Sequence, residues 1–282
     1  MTSITNLNPM TSTTVLNNEL TETIELQALR GWFLAASRLE LTGIDWKLEQ
    51  IGDALCSVSA TEPSILVNRV LGLGSQLMPT ADQLSGIRQL YNGAGVSRFF
   101  LHVTSPLMTP GMEELLTGCG YKRHRGWMKF ARGAGDVGAV TTDLDIQEIG
   151  PEDAVDFAAI AGPAFDIAPP FQAAIAALAN DPNWHLYMSF EGGRPAGTGA
   201  IYIRGQTAYT DWGATHPDFR QRGSQTAILN ARIQKALDAG CTTIVTMTGE
   251  AVPGDPQHSY SNILKRGFKE AYLRENWIPE GS

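Results

Sequence analysis

The two halves of this sequence repeat one pattern of landmarks. In the first half a helical stretch ends near Gly95 and an apolar, strand-like run follows; the same order surrounds Gly240, 145 positions later. A second pair of glycines, Gly120 and Gly267, each followed by an aromatic residue, is separated by 147 positions. Landmarks at nearly one offset indicate that an α/β unit was duplicated. The alternative is that helix, glycine and strand follow one another in any α/β protein.

The composition changes most clearly between the two halves, where glycine and small residues accumulate in the stretch ARGAGDVGAVTTD. Such a stretch is typical of a linker, so we expect a linker at 133–143, a first domain at 26–132 and a second at 144–282. Residues 1–25 begin with a run rich in Thr, Ser and Asn and without an apolar core, which predicts a flexible tail rather than a signal peptide.

Composition excludes several classes of protein. Of 282 residues 43% are hydrophobic and 18% charged, enough apolar matter for one large or two ordinary cores. The net charge of −8 argues against nucleic acid or an anionic membrane as partner. The three cysteines form no CxxC pair and the five histidines show no ligand spacing, so we predict no metal site and a reducing, cytoplasmic compartment. No apolar run approaches the roughly 20 residues of a membrane helix.

The second half has the clearer pattern of secondary structure. Its pattern predicts two helices, a meander of three antiparallel strands, a loop, a long helix, a strand, a short helix and a last strand. The connectors of the meander, Gly192-Gly193 and Gly205-Gln206, have the chemistry of hairpin turns.

The loop after the meander has the features of an anion site. It carries Arg220, Arg222 and Gly223 directly before an unbroken helical pattern. The first turn of a helix has free N–H groups and the positive end of the helix dipole, and a glycine lets a phosphate approach the backbone closely. The alternative is an ordinary exposed loop with two solvated arginines.

This loop and its surroundings resemble the GNAT acyltransferase superfamily. The resemblance rests on Pro217-x-x-Arg220-x-x-Gly223 after a meander, and on Arg266-Gly267-Phe268 further on. It covers residues 144–282 well and 26–132 only as a degenerate copy. It implies an α/β fold of two GNAT-like domains, each a mixed, mostly antiparallel sheet with helices on both faces. One departure is Gln225, which stands where the family has its second motif glycine, so its side chain must turn away from the phosphates.

The resemblance implies acetyl-CoA as cosubstrate, bound through its pyrophosphate. The residues expected at the cofactor are Ala214, Thr215, Arg220, Arg222, Gly223, Ser224, Gln225, Thr226 and Asn262. Of these, the backbone N–H groups around Ala214 and Thr215 are expected to face the thioester carbonyl, and Asn262 to bind the pantetheine amides or merely cap a helix. The first half has no basic glycine loop, so one CoA site per chain is expected.

The catalytic and acceptor residues are less clearly marked. Glu250 is the candidate base, or else a solvated loop carboxylate. The family's usual acid, a tyrosine, is replaced by Ile263, so Tyr260 is the best substitute acid unless it is simply packed. The aromatic residues expected to bind the acceptor, unless they belong to the core, are Phe165, Phe171 and Trp212.

These features predict an N-acetyltransferase that moves an acetyl group from acetyl-CoA to an amine by direct attack, because no cysteine or serine lies in a nucleophile setting. The acceptor is expected to be a small-molecule or peptide amine. The alternatives are a non-catalytic acyl-CoA-binding or sensing protein and a scaffold with two degenerate halves. A homodimer stays open.

Overall fold

The computed structural model describes residues 12–104 and 107–282. The first half contains α1 (Ser12–Ser37), β1 (Lys47–Ile51), β2 (Ala54–Val58), β3 (Arg69–Leu71), α2 (Ala81–Gly93), β4 (Phe100–Thr104), α3 (Pro110–Gly118) and β5 (Tyr121–Gly133). The second half contains β6 (Asp145–Ile149), α4 (Ala154–Ala164), α5 (Pro169–Ala176), β7 (Trp184–Glu191), β8 (Arg194–Arg204), β9 (Thr207–Thr215), α6 (Ser224–Asp238), β10 (Thr243–Gly249), α7 (His258–Lys265) and β11 (Lys269–Pro279). Of the predicted linker 133–143, Gly133 ends β5 and residues 134–143 form neither helix nor strand.

All eleven strands belong to one sheet, in the order β1-β2-β3-β4-β11-β5-β10-β9-β8-β7-β6. Two neighbouring pairs are parallel, β3 with β4 and β9 with β10, and the other pairs described are antiparallel. Apart from β6, which lies at one edge and has no counterpart, the order reads the same from both ends towards the centre, since β1 to β4 correspond to β7 to β10. The mixed, mostly antiparallel α/β fold and the tandem arrangement are therefore confirmed.

The last strand of each half lies inside the other half of the sheet. β11 is inserted between β4 and β5, and β5 between β11 and β10. The two expected sheets are thus joined into one, because each half completes its hydrogen bonding with a strand from the other. Where one domain ends and the next begins stays a prediction.

The hydrophobic core is continuous on one face of the sheet and divided on the other. Helices α1, α4 and α5 pack on the first face, in a cluster that joins Trp32 and Trp46 of the first half to Phe171 and Trp212 of the second. On the opposite face, α2 and α3 cover the first half while α6 and α7 cover the second. The shared face therefore fixes the two halves relative to each other.

The tail predicted for residues 1–25 is corrected by helix α1. Residues 1–11 lie outside the described residues, but α1 begins at Ser12, and Ile24 and Glu25 are buried. Apolar residues recur at helical spacing from Ile24 through Ala28 to Trp32, which packs the helix on the sheet. The Trp32 indole N–H donates to the Ala174 carbonyl at 2.6 Å. The Ser/Thr/Asn-rich start concealed this periodicity.

A buried charge cluster lies where α1 crosses the centre of the sheet. Glu25 pairs with Arg69 of β3, Lys129 of β5 and Arg274 of β11, all of them buried. Burial alone would raise the pKa of Glu25, but the charges of the three cations outweigh it and hold that pKa well below its ordinary value. One carboxylate thus joins three strands contributed by both halves.

Within the described ranges, no helix is both long and apolar enough to cross a membrane. The same ranges contain no group of three or more His, Cys, Asp or Glu side chains that could hold a metal ion.

Candidate active site

A cleft opens where the parallel strands β9 and β10 diverge. Their pairing covers only three positions and ends at Tyr209 opposite Val245. Beyond it β9 pairs with β8 alone, and β10 continues with β5 as far as Gly249 opposite Trp127. The two strands therefore separate over 210–215 and 246–249, which leaves an opening in the middle of an otherwise continuous sheet.

A bulge shapes the β9 wall of this cleft. Ala200 of β8 faces Asp211, but two residues earlier Thr198 already faces Ala214, so β9 carries one extra residue. Trp212 takes up the distortion with a φ of +57°, a region that non-glycine residues rarely adopt. The Thr198 hydroxyl donates to the Trp212 carbonyl at 3.0 Å and closes the bulge.

Of the two expected carbonyl-binding residues, the ladder pattern favours one. The His216 N–H donates to the Ala196 carbonyl at 2.9 Å. Hydrogen-bonded and non-bonded pairs alternate in an antiparallel ladder, so the next bonded pair joins Thr198 and Ala214. The Ala214 N–H is thereby directed to β8, whereas the Thr215 N–H faces the other way, into the cleft. Thr215 is the better placed donor for a developing oxyanion.

Helix α6 begins at the mouth of the cleft without a cap. Gly223 precedes its first turn with a φ of +81°, and no side chain among the described residues caps the helix. A methyl group at Gly223 would come within 3.1 Å of the Thr141 carbonyl oxygen, so a larger residue would be strained by the positive φ and would crowd this carbonyl. The first-turn N–H groups of Ser224, Gln225 and Thr226 are left for an external anion.

The two arginines of this loop differ in what they bind. Arg220 is exposed and makes no side-chain hydrogen bond or ion pair with the described residues. Arg222 is held by the carboxylates of Asp143 and Glu191, which raise the pKa of its guanidinium. Its positive charge is therefore already compensated within the protein. Arg220 is therefore the better placed of the two for a phosphate, and the role of both arginines stays a prediction.

The side chains at the start of α6 turn inward, away from an anion outside the helix. The Ser224 hydroxyl lies 2.8 Å from that of Ser189. The Gln225 amide donates to the carbonyls of Ala214 and Thr198. Gln225 thus satisfies the requirement that its side chain point away from the phosphate position, and Ser224 and Gln225 offer that position only their backbone N–H groups.

The carboxylate of the candidate base Glu250 turns towards β5. One carboxylate oxygen accepts the Gly126 N–H of β5 at 3.0 Å, and Arg123 of β5 is 3.9 Å from the other. The cleft with β9 is on the opposite side of β10. Glu250 is therefore engaged by β5 rather than aimed at the cleft.

The candidate acid and its neighbour lie on α7. The Tyr260 hydroxyl donates to Glu270 of β11, and its ring packs against Phe130. Burial and the adjacent carboxylate raise the pKa of Tyr260 to about 12. Asn262 is half-buried on the same helix. Tyr260 holds its proton tightly and gives its hydrogen bond to another residue.

The three aromatic residues expected to bind the acceptor lie together, but their neighbours fill the space between them. Phe171 and Trp212 are buried, and Trp32 of α1 packs on both, 5.0 Å from Trp212 between ring centroids. Phe165 packs against Trp212 at 5.2 Å. Phe171 and Trp212 belong to the core shared by the two halves, so only the half-buried Phe165 could meet a ligand.

One residue at the cleft escaped the sequence analysis. Asp211 lies at the start of the β9 bulge, two residues past the last pair with β10, and its carboxylate accepts the Tyr209 hydroxyl at 3.0 Å and the Trp212 N–H at 2.8 Å. Burial raises its pKa above the ordinary value in spite of these donors. The strand pattern alone gave no sign of the bulge, so this acid read as an ordinary strand residue.

Comparison with known proteins agrees with this geometry. Residues 154–258 match the model of the acetyltransferase (GNAT) family. A search of curated proteins found no match. Among solved structures, the chain is similar to a GCN5-related N-acetyltransferase from Kribbella flavida, with a TM-score of 0.60, 15% identity, and coverage of 89% of this chain and 96% of that one. A GCN5-related N-acetyltransferase from Sphaerobacter thermophilus gives a TM-score of 0.58 at 12% identity over 85% and 82% of the two chains.

A tandem GNAT protein from the clavulanic acid biosynthesis pathway is similar over 80% of this chain and 77% of that one, with a TM-score of 0.56 and 15% identity. At such identities the structural likeness concerns the fold. Together with the family match, it confirms the resemblance found in the loop before α6. Residues 154–258 are a domain of the acetyltransferase (GNAT) family, and the chain as a whole has the fold of a tandem GNAT protein.

Proposed function

We propose that this protein is an acetyl-CoA-dependent N-acetyltransferase whose cosubstrate binds in the second half. The family is one of acetyltransferases, which supports acyl transfer in general. The observation that carries the proposal is the uncapped N-terminus of α6 at the mouth of the cleft between β9 and β10. Free N–H groups, a positive helix end and the unpaired Arg220 suit a pyrophosphate, on a protein that is otherwise acidic.

In the proposed reaction the nitrogen of a neutral amine attacks the thioester carbonyl carbon. A C–N bond forms and the carbonyl electron pair moves to the oxygen, which the Thr215 N–H stabilises by a hydrogen bond. The C–S bond then breaks, the sulfur leaves as the thiolate of CoA, and the nitrogen gives up its proton. No covalent enzyme intermediate is needed.

We assign the proton to Asp211 rather than to Glu250. Asp211 lies at the divergence of β9 from β10, on a strand that also supplies the oxyanion donor. Because burial raises its pKa, Asp211 is a stronger base than an ordinary aspartate. Glu250 stays as the second candidate, since a water could connect it to the cleft.

We assign no dedicated acid. An unperturbed thiol has a pKa near 8.5, so a thiolate is a tolerable leaving group at neutral pH. The high pKa of Tyr260 and its bond to Glu270 make it a poor proton donor. The acceptor is proposed to be a small-molecule or peptide amine, with Asp211 attracting its cationic form before the proton is lost.

The proposal is tested by calorimetric titration with acetyl-CoA, followed by measurement of free thiol release with a panel of amines. We expect binding at one equivalent per chain and thiol release with at least one amine. Binding without release for every amine would favour the acyl-CoA-binding alternative. Absence of any binding would overturn both.

A further inference from the structure

Two side chains of α6, which lie under the β9 bulge, have no part in holding a phosphate. The Gln225 amide nitrogen donates to two carbonyls, Ala214 on β9 and Thr198 on β8. About two turns further along the helix, the Arg232 guanidinium donates to the carbonyls of Asp211 at 2.8 Å and Ala200 at 3.1 Å. The four carbonyls lie on the two strands at either end of the bulge, so α6 grips it at both ends.

Arg232 is an unusual choice for a structural residue. It is buried, and within the described ranges it forms no ion pair and donates only to carbonyls. Burial lowers the pKa of its guanidinium to about 10, which means that the buried position disfavours the charged form. A hydrophobic residue would fill the space at less cost. One guanidinium nitrogen, Nη1, supplies both of the N–H donors that reach the strands of the bulge.

Three glycines make room for this grip. A methyl group at Gly199 would come within 2.8 Å of Arg232 Cζ, and one at Gly213 within 2.7 Å of Gln225 Oε1. A methyl group at Gly197 would overlap the Ser224 hydroxyl. The glycines on β8 and β9 thus allow α6 to approach the bulge until its side chains reach the backbone.

We propose that Gln225 and Arg232 are positioning residues that lock the β9 bulge, and with it the Thr215 N–H and the Asp211 carboxylate, to the helix whose N-terminus binds the cosubstrate. This proposal rests on the proposed function. It explains why a glutamine replaces the glycine that the family has at this position. A glycine would leave more room at the phosphates, whereas the glutamine amide binds the carbonyls of the bulge on β9 and its partner strand β8.

The test compares Arg232→Lys with Arg132→Lys as the matched control. Lysine keeps the charge, but its ammonium ends about one bond short of the Nη1 atom that reaches both carbonyls. Arg132 is likewise buried and donates only to carbonyls within the described ranges, but it faces Ile244, at the end of β10 away from the cleft. We expect Arg232→Lys to lower kcat about 10- to 100-fold while the Kd for acetyl-CoA changes less than about threefold. Arg132→Lys should lower only the stability.

A second pair of variants separates holding the bulge from filling space. Gly213→Ala should displace the Gln225 amide, and Gln225→Ala removes it. If Gln225 only fills space, Gln225→Ala is harmless and rescues Gly213→Ala in the double variant. If it locks the bulge, both single variants lose kcat about 10-fold and the double variant is not rescued.

Hydrogen exchange of the segment 209–216 gives a readout that does not depend on turnover. We expect exchange there to be about 10-fold faster in Arg232→Lys than in wild type or Arg132→Lys. If the wild type releases no thiol with any amine, the proposed function fails and the exchange result still decides whether the bulge is locked. Unchanged exchange and an unchanged kcat in Arg232→Lys would overturn the inference.

Discussion

The two halves place a helix after the first strand of a parallel pair, but they treat its N-terminus in opposite ways. In the second half α6 starts at Gly223 with no side-chain cap. In the first half Thr80 caps α2 by accepting the Gln83 N–H at 3.1 Å, and Asp82 supplies an acid in the first turn. A first turn that is already satisfied and carries an acid has little to offer a phosphate.

The loop before α2 already binds a carboxylate of the protein. Asp53, in the turn between β1 and β2, accepts the Gln76 N–H of this loop at 3.1 Å and the Gln83 side-chain amide of α2 at 3.1 Å. In the first half a carboxylate of the protein itself therefore lies at this helix end, whereas in the second half the corresponding place is left for an external anion. This difference, rather than the loss of the arginine alone, explains why one half is expected to bind CoA.

The halves also differ at the point where the strands diverge. In each half a residue with positive φ, Gly72 or Trp212, lies at this point. The residue before it is Leu71 in the first half, paired with Leu55, and Asp211 in the second, paired with Ala200. Leu71 is buried in the core that both halves share. The two copies of the fold thus differ here, since one has an ionisable group at its cleft and the other has an apolar core residue at this position.

The sharpest way to break this comparison is Asp211→Asn. If Asp211 is the base, we expect kcat to fall about 10²- to 10⁴-fold, with little change in the Kd for acetyl-CoA. Because its pKa is raised, wild-type activity should be lost with falling pH already above the ordinary value of 3.8, and this acid limb should disappear in the variant. Glu250→Gln is the matched control. A large loss in Glu250→Gln, with Asp211→Asn nearly normal, would return the base to Glu250.

The second prediction concerns what holds the unequal halves together. Glu25→Gln removes the carboxylate that pairs with three buried cations, Arg69, Lys129 and Arg274, and leaves Glu22 against Arg274 alone. We expect a loss of about 3–5 kcal/mol in the free energy of unfolding. Urea denaturation measures it. Glu22→Gln, one turn earlier and partly exposed, should cost much less.

The pH dependence of this effect has a definite sign. The folded pKa of Glu25 lies well below the ordinary value of 4.5, so its contribution is fully present above that pH and is lost as the pH falls towards the folded value. The gap in stability between wild type and Glu25→Gln should narrow over that acid window. If Glu25→Gln does not fold, adding Lys129→Met should restore folding by removing one uncompensated charge. A gap that does not vary with pH would contradict the assignment.

A smaller effect is expected from Arg220→Ala. Loss of a charge-assisted phosphate contact should weaken acetyl-CoA binding by about 1–3 kcal/mol without lowering stability, because the Arg220 side chain contacts nothing charged in the described part of the chain. Arg222→Ala serves as the comparison, since its charge is compensated by Asp143 and Glu191. Equal affinities in wild type and Arg220→Ala, measured by calorimetry, would remove the pyrophosphate from this loop.

In the second half the sequence predicted the elements that depend on local pattern. The helices, the meander and the anion loop there follow from periodicity, turn residues and a glycine at a helix start, and they lie close to where they were expected, whereas helix α1 of the first half was predicted in large part as a tail. What it missed depends on contacts between distant residues. Nothing local marks that β5 and β11 exchange places, that Arg222 is neutralised by Asp143, or that Glu250 is held by β5.

The β9 bulge shows the same limit on a finer scale. It is held by side chains that come later in the sequence, notably Gln225 and Arg232 on α6. Without the bulge, Asp211 reads as one residue of an alternating strand. The aromatic residues near it could be read as a pocket or as core, and only the packing of Trp32 from the first half decided for Phe171 and Trp212.

The smallest expected effect comes from Thr80→Ala, which removes the cap of α2. Loss of an N-cap hydroxyl typically costs about 1 kcal/mol, and thermal or urea denaturation would measure that loss. CoA binding should still saturate at one equivalent, since the first half offers Asp53 and Asp82 rather than an arginine at this helix end. The variant thereby separates two reasons why the first half is expected not to bind CoA, namely the Thr80 cap and the missing arginine. If titration of Thr80→Ala instead reached two equivalents, the cap alone would have been blocking a second site, and the missing arginine would be of little consequence.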